Sequence, residues 1–134
     1  MKWATTAIEP PRIRRAIWPL MYEPASVPRA RHLIREQLAD WDLGEHSDAV
    51  ELLASELVTN AIRHAWGDPT LTLCVQAGAL RCTVKDANPV LPHLSSTDPG
   101  EEGGLGLHLV DRLSSAWGSN PVSEGKIVWF ELLT

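Results

Sequence analysis

The sequence predicts an α/β (α+β) two-layer sandwich, in which a mixed, mainly antiparallel sheet carries helices on one face. Three observations predict it. Apolar residues recur at three- and four-residue steps over two long stretches, which is the pattern of amphipathic helices. Short stretches of alternating character come in pairs around tight turns, which reads as hairpins. The elements also fall in segregated runs (strand, helix, helix, two strands, loop, helix, two strands), and such runs build α+β layers.

Residues 15–21 read as a first strand, and Pro19 suits an edge position there because it cannot donate to a ladder. Ser26 is expected to cap a helix running to Asp40, with Pro28 in its first turn and Ala30, Leu33, Ile34 and Leu38 at helical spacing. A second helix is expected over residues 47–65, where Val50, Leu53, Leu57, Ala61 and Ala65 make an apolar stripe. Strands at 71–77 and 80–86 are expected to join at Gly78-Ala79, since glycine in the first central position suits a type II′ turn. That register sets Val75 opposite Cys82 and Cys74 opposite Thr83. The two thiols then point to opposite faces, and no disulfide is expected. Residues 87–103, rich in Pro, Ser, Asp and Gly, form a loop long enough to carry function. A third helix is expected over 104–113, then a strand pair at 115–122 and 126–133. The last strand sets Val128, Phe130 and Leu132 on one face and Ile127, Trp129 and Glu131 on the other.

A chain of 134 residues fits one domain, here a loose arm over residues 1–14 and a folded unit over 15–134. The net charge of −5 gives no basic footprint, so nucleic acid is not an expected partner. No apolar run is long enough for a membrane span and no secretory signal opens the chain, so a cytoplasmic location is expected. Six tryptophans stand beside one Phe and one Tyr. Trp129 and Trp18 are expected on a sheet face that the helices leave open. Such a patch marks a partner or homodimer contact unless the arm around Trp3 covers it.

Three groups of residues carry chemistry. Glu56 and Asn60 lie four apart on the second helix and project from one face beside the apolar stripe. A hard cation with its water would satisfy that carboxylate and carboxamide; an exposed polar helix face is the alternative. Asp86 ends its strand in phase with Leu80, Cys82 and Val84, which points it to the buried side. A carboxylate there needs a donor, such as the exocyclic amine of adenine, or else it simply opens the turn at Asn88-Pro89. Gly103-Gly104-Leu105-Gly106 leads straight into Leu107, and glycines before a helix let phosphate reach free N–H groups. A flexible connection is the alternative there. His64 reads as a packed or solvent-facing helix-end residue, and His93 and His108 carry no assigned role.

In this order the three groups resemble the N, G1 and G2 boxes of the histidine-kinase-like (GHKL) ATPases. The nearest likeness is to the actinobacterial branch related to anti-sigma-factor serine/threonine kinases. The run Ser55-Glu56-Leu57-Val58-Thr59-Asn60-Ala61-Ile62-Arg63-His64-Ala65 and the ending Gly125-Lys126-Ile127-Val128-Trp129-Phe130-Glu131-Leu132 are similar to that branch. The resemblance implies a Bergerat-type ATP-binding fold with ATP and Mg²⁺ as ligands. It implies Glu56 as general base, Asn60 as the Mg²⁺ ligand, and Asp86 as the reader of the adenine amine. Gly103, Gly104, Leu105, Gly106 and Leu107 would lie along the phosphates, beneath a lid at 89–102. The implied activity is transfer of the γ-phosphoryl to a serine or threonine of an antagonist protein, with sequestration of a sigma factor. A non-catalytic interaction module of the same fold is the alternative. The sequence departs from the family pattern at Asp86-Ala87-Asn88, where Asp-x-Gly is usual, and at Leu105 and Ile127, where a basic residue and a threonine are frequent. Residues 87–106 hold no Lys or Arg while Asp98, Glu101 and Glu102 are acidic, which predicts weak ATP affinity.

Overall fold

A computed structural model describes residues 12–64, 67–88 and 104–134, with side chains from residue 107 in the last stretch. Five strands form one sheet in the order β1-β2-β3-β5-β4: β1 (Arg14–Pro19), β2 (Thr70–Gln76), β3 (Ala79–Asp86), β4 (Ala116–Val122) and β5 (Gly125–Leu133). Every pairing among these strands is antiparallel. The helices are α1 (Ser26–Asp40), α2 (Ser47–His64) and α3 (Gly104–Leu113), with a 3₁₀ turn at Gly44–His46 between the first two. Among the described residues, no helix is long and apolar enough to cross a membrane.

Period-two alternation decides which sheet face is covered. Leu71 and Leu73 of β2, Leu80, Cys82 and Val84 of β3, and Val128 and Phe130 of β5 are all buried on one side. The apolar stripe of α2, Val50, Leu53, Leu57, Val58 and Ala61, closes over them, joined by Ile34 and Leu38 of α1 and Val110 of α3. Phe130 is fully buried, and a side chain of that size contributes about 1.5–3 kcal/mol by leaving water.

Several local expectations need correction. Ser26 is the first residue of α1 rather than its cap; Ala25 takes the cap position, and the Ser26 hydroxyl donates to the Met21 carbonyl. The helix stops where Asp42 turns left-handed (φ 60°) and the amides of Asp42 and Leu43 donate back to Ala39 and Leu38. The first strand ends at Pro19, and Leu20 leaves the sheet to enter the core. The β2–β3 turn is centred on Ala77-Gly78, both at positive φ, so it is type I′ and not type II′. The register moves by two: Cys74 faces Arg81 and Cys82 faces Leu73. A shift of two keeps every side chain on its face. Cys82 is buried among apolar residues, which pushes its thiol pKa well up, while Cys74 lies on the opposite face.

Trp18 also departs from expectation. It pairs with Leu71 and packs against the core, whereas Trp129 lies on the outer face. The Trp129 indole spreads over Gly118 of β4, where an added Cβ would sit 2.9 Å from the ring. Arg81 stacks on the ring at 4.0 Å and pairs with Glu131, and Asn120 accepts from the indole N–H.

Two rungs set the rotation of α2 against α1. Arg35 grips Glu51 through two hydrogen bonds (2.7 and 3.2 Å), and one turn along Arg31 donates to Ser55 at 3.2 Å. Glu51 is buried, and burial alone would raise its pKa. Hydrogen bonds from Arg35 and Ser47 and the charges of Arg35 and Arg31 outweigh that and hold it below the ordinary glutamate range. A carboxylate with a depressed folded pKa contributes stability above its unfolded pKa and loses it as pH falls through the folded value. Glu51→Gln is therefore expected to lower stability at pH 7 by about 1 kcal/mol. The gap between variant and wild type closes as pH falls below the glutamate range, which urea midpoints at pH 7 and pH 3 would measure. An equal gap at both would contradict the assignment.

Candidate functional site

The candidate site lies at one end of the sandwich, where the C-terminal half of α2, the tip of β3 and the start of β5 meet. Glu56 and Asn60 sit one turn apart on α2, both half-buried. They flank the stripe of Leu53, Leu57 and Ala61 that seats the helix on the sheet, so their position follows from the helical period. Their carboxylate and carboxamide oxygens are hard donors.

Asp86 closes β3 on the helix side of the sheet and is buried, as its phase with Leu80, Cys82 and Val84 predicts. It is not a lone carboxylate. Lys126 of β5 lies directly opposite, and its ammonium donates to Asp86 Oδ1 at 2.9 Å, with the two side chains 2–3% exposed. The Lys126 ammonium also donates to the Asn88 carbonyl at 3.2 Å, and the Asn88 amide donates to the same Asp86 Oδ1 at 2.9 Å. The Asn88 carboxamide then donates to the carbonyl of His64, one turn beyond Asn60. That bond ties the β3 tip to the α2 end. Gly125, next to Lys126, lies so close that a Cβ would fall 1.9 Å from the Asp86 carbonyl oxygen.

Lys126 and Asn88 were not among the residues expected at the site. A signal for Lys126 exists: carrying the alternation of Phe130 and Val128 back two places lands on it and predicts that it points inward. Gly104, Leu105 and Gly106 form the first turn of α3, as expected, and Leu107 is buried beneath it. The helix packs on α2. Gly103, the loop 89–102 and His93 lie outside the described residues.

Residues 20–132 match the family model described as histidine kinase-like ATPase domain. The chain belongs to this family. No curated protein matches it. Among solved structures, the histidine kinase-like ATPase domain described here is similar in fold to the RsbU and RsbW domains of Rv1364c from Mycobacterium tuberculosis. That match has a TM-score of 0.68 at 17% identity and covers 90% of this chain and 32% of the other. It is also similar to the histidine kinase domain of the Erythrobacter litoralis EL346 blue-light activated histidine kinase (TM-score 0.50, 24% identity, 81% of this chain and 59% of the other). A second structure of that kinase matches with a TM-score of 0.51 at 23% identity over 86% of this chain and 42% of the other. This chain therefore spans between about a third and three fifths of the solved chains it resembles.

The residues present fit a magnesium nucleotide. Among the described residues no three acidic, His or Cys side chains cluster to hold a metal. Glu56 and Asn60 would offer a cation one carboxylate and one carboxamide, and phosphate and water are the further ligands Mg²⁺ usually takes. The first turn of α3 offers backbone N–H groups of the kind that bind phosphate.

Proposed function

We propose that this ATPase domain binds Mg-ATP and passes its γ-phosphoryl to a serine or threonine hydroxyl of an antagonist protein, while sequestering a sigma factor. The observation that carries the reading is the Asn88–His64 bond, which brings the Asp86 strand tip to the helix end bearing Asn60. The family match and the resemblance to anti-sigma-factor kinases support the choice of reaction. When bound, Mg²⁺ would supply charge neutralisation for the phosphates. Asn60 would hold that ion through its carboxamide oxygen. Glu56, one turn earlier, would accept the proton of the attacking hydroxyl, and Asp86 would receive the exocyclic amine of the base. The first turn of α3, Gly104 to Leu107 with Gly103 before it, would present amides to the phosphates. Phosphoryl transfer asks mainly for such positioning and charge balance, so this set is sufficient.

Glu56→Gln is the decisive variant. With labelled ATP and candidate antagonists, transfer is expected to fall by about 10²–10⁴-fold, the usual share of general-base catalysis. ATP affinity should stay within a few-fold. Unchanged transfer would reject Glu56 as the base. ATP binding without transfer to any partner would favour a non-catalytic module, a reading favoured by the acidic, Lys- and Arg-free stretch 87–106.

A further inference from the structure

We infer that Lys126 is a second base-reading residue, acting with Asp86 on the edge of adenine that carries N6 and N1. The inference rests on the nucleotide reading above and adds a residue that it does not contain.

The argument is a count of hydrogen-bonding valences. An ammonium has three N–H donors, and Lys126 uses two of them, on Asp86 Oδ1 and on the Asn88 carbonyl. Asp86 Oδ1 receives two donors, from Lys126 and from the Asn88 amide. The hydrogen bonds to the Asp86 carboxylate all fall on Oδ1, and since no described side-chain polar atom is both buried and unpartnered, Oδ2 keeps contact with solvent. One acceptor that solvent reaches and one charged donor are left side by side on two otherwise buried side chains.

The bonding of this pair is completed from the solvent side, where a ligand can take the place of water. Burying two charges is costly, and the pair offsets that cost only when its remaining lone pairs and protons are also bonded. An open acceptor beside an open donor is the complement of a base edge that presents one N–H next to one ring nitrogen. Adenine has that edge: the N6 amine would donate to Asp86 Oδ2 and N1 would accept from Lys126 Nζ. Asn88, standing where glycine is usual in the family pattern, holds both readers in register through its own amide and carbonyl.

Calorimetric titration with ATP and with 1-deaza-ATP, in the presence of Mg²⁺, tests the inference. The analogue replaces N1 by C–H and keeps the amine. The wild type is expected to bind it at least about tenfold more weakly than ATP, the loss of one charge-assisted hydrogen bond. Lys126→Met should bind ATP about as weakly as the wild type binds the analogue, and should no longer tell the two apart. Equal affinity of the wild type for both nucleotides overturns the assignment and leaves the nucleotide reading intact, and this comparison needs no variant to fold. Tighter ATP binding by Lys126→Met overturns it as well, making the lysine an internal occupant of the base site. A tenfold preference for GTP overturns the adenine edge. Binding of no nucleotide by the wild type overturns the nucleotide reading and this assignment with it.

Discussion

Asp86→Ala is expected to lower folding stability by about 3–5 kcal/mol, because it leaves the Lys126 ammonium buried without its counter-charge. The same change removes the acceptor of the Asn88 amide and so loosens the tie from the β3 tip to the end of α2. Charge burial predicts a specific rescue. Asp86→Leu combined with Lys126→Met replaces the pair by apolar groups of similar size and should recover stability to within about 1 kcal/mol of the wild type. Urea unfolding of the three proteins would measure this. A loss below about 1 kcal/mol in Asp86→Ala would mean that the lysine reaches water. The double variant separates two properties, since it should fold and yet have lost its base reader.

Gly125→Ala is the second large effect. The added methyl would overlap the carbonyl oxygen of Asp86 at 1.9 Å and press on the backbone of Ala87 at 3.1 Å. Both obstacles are main chain at the end of an interior strand, so no side-chain rotation relieves them. Either β5 moves from β3 or the hairpin start of β5 unravels, and a loss of about 3 kcal/mol or more is expected. Gly118→Ala makes the contrast. Its methyl would meet the Trp129 ring at 2.9 Å, an obstacle of side chain rather than backbone. Thermal unfolding of the two variants side by side would test the difference. Equal losses would contradict the distinction between backbone and side-chain obstruction.

The layered fold was legible because two periods dominate the sequence. The stripe Val50, Leu53, Leu57 and Ala61 predicts the buried side of α2, and the alternation through Phe130 predicts the buried side of β5. Asp86 was legible as an inward carboxylate for the same reason. The β2–β3 register was not, because Ala77 takes a left-handed conformation that alanine rarely adopts, and glycine at the next position fits either turn type. The side of the sheet taken by Trp18 was missed because an edge strand interrupted by proline gives too short a pattern to phase. The partner of Asp86 was missed for a different reason. A lysine next to a turn reads as a solvated charge when taken alone; the β5 alternation turns it inward, and its pairing across to β3 supplies the partner. Glu51 is the same case on a helix: its burial depends on Arg35 sixteen residues earlier.

The position of β5 has a consequence for how the domain comes into being. β5, the last of these five strands in sequence, is inserted between β3 and β4, so until residues 125–133 emerge from the ribosome β3 offers an open edge with alternating apolar groups. Such edges recruit foreign strands, and pairings between distant segments form slowly. The lysine that neutralises Asp86 arrives only with that insertion, so the other four strands are already made before the buried carboxylate gains its counter-ion.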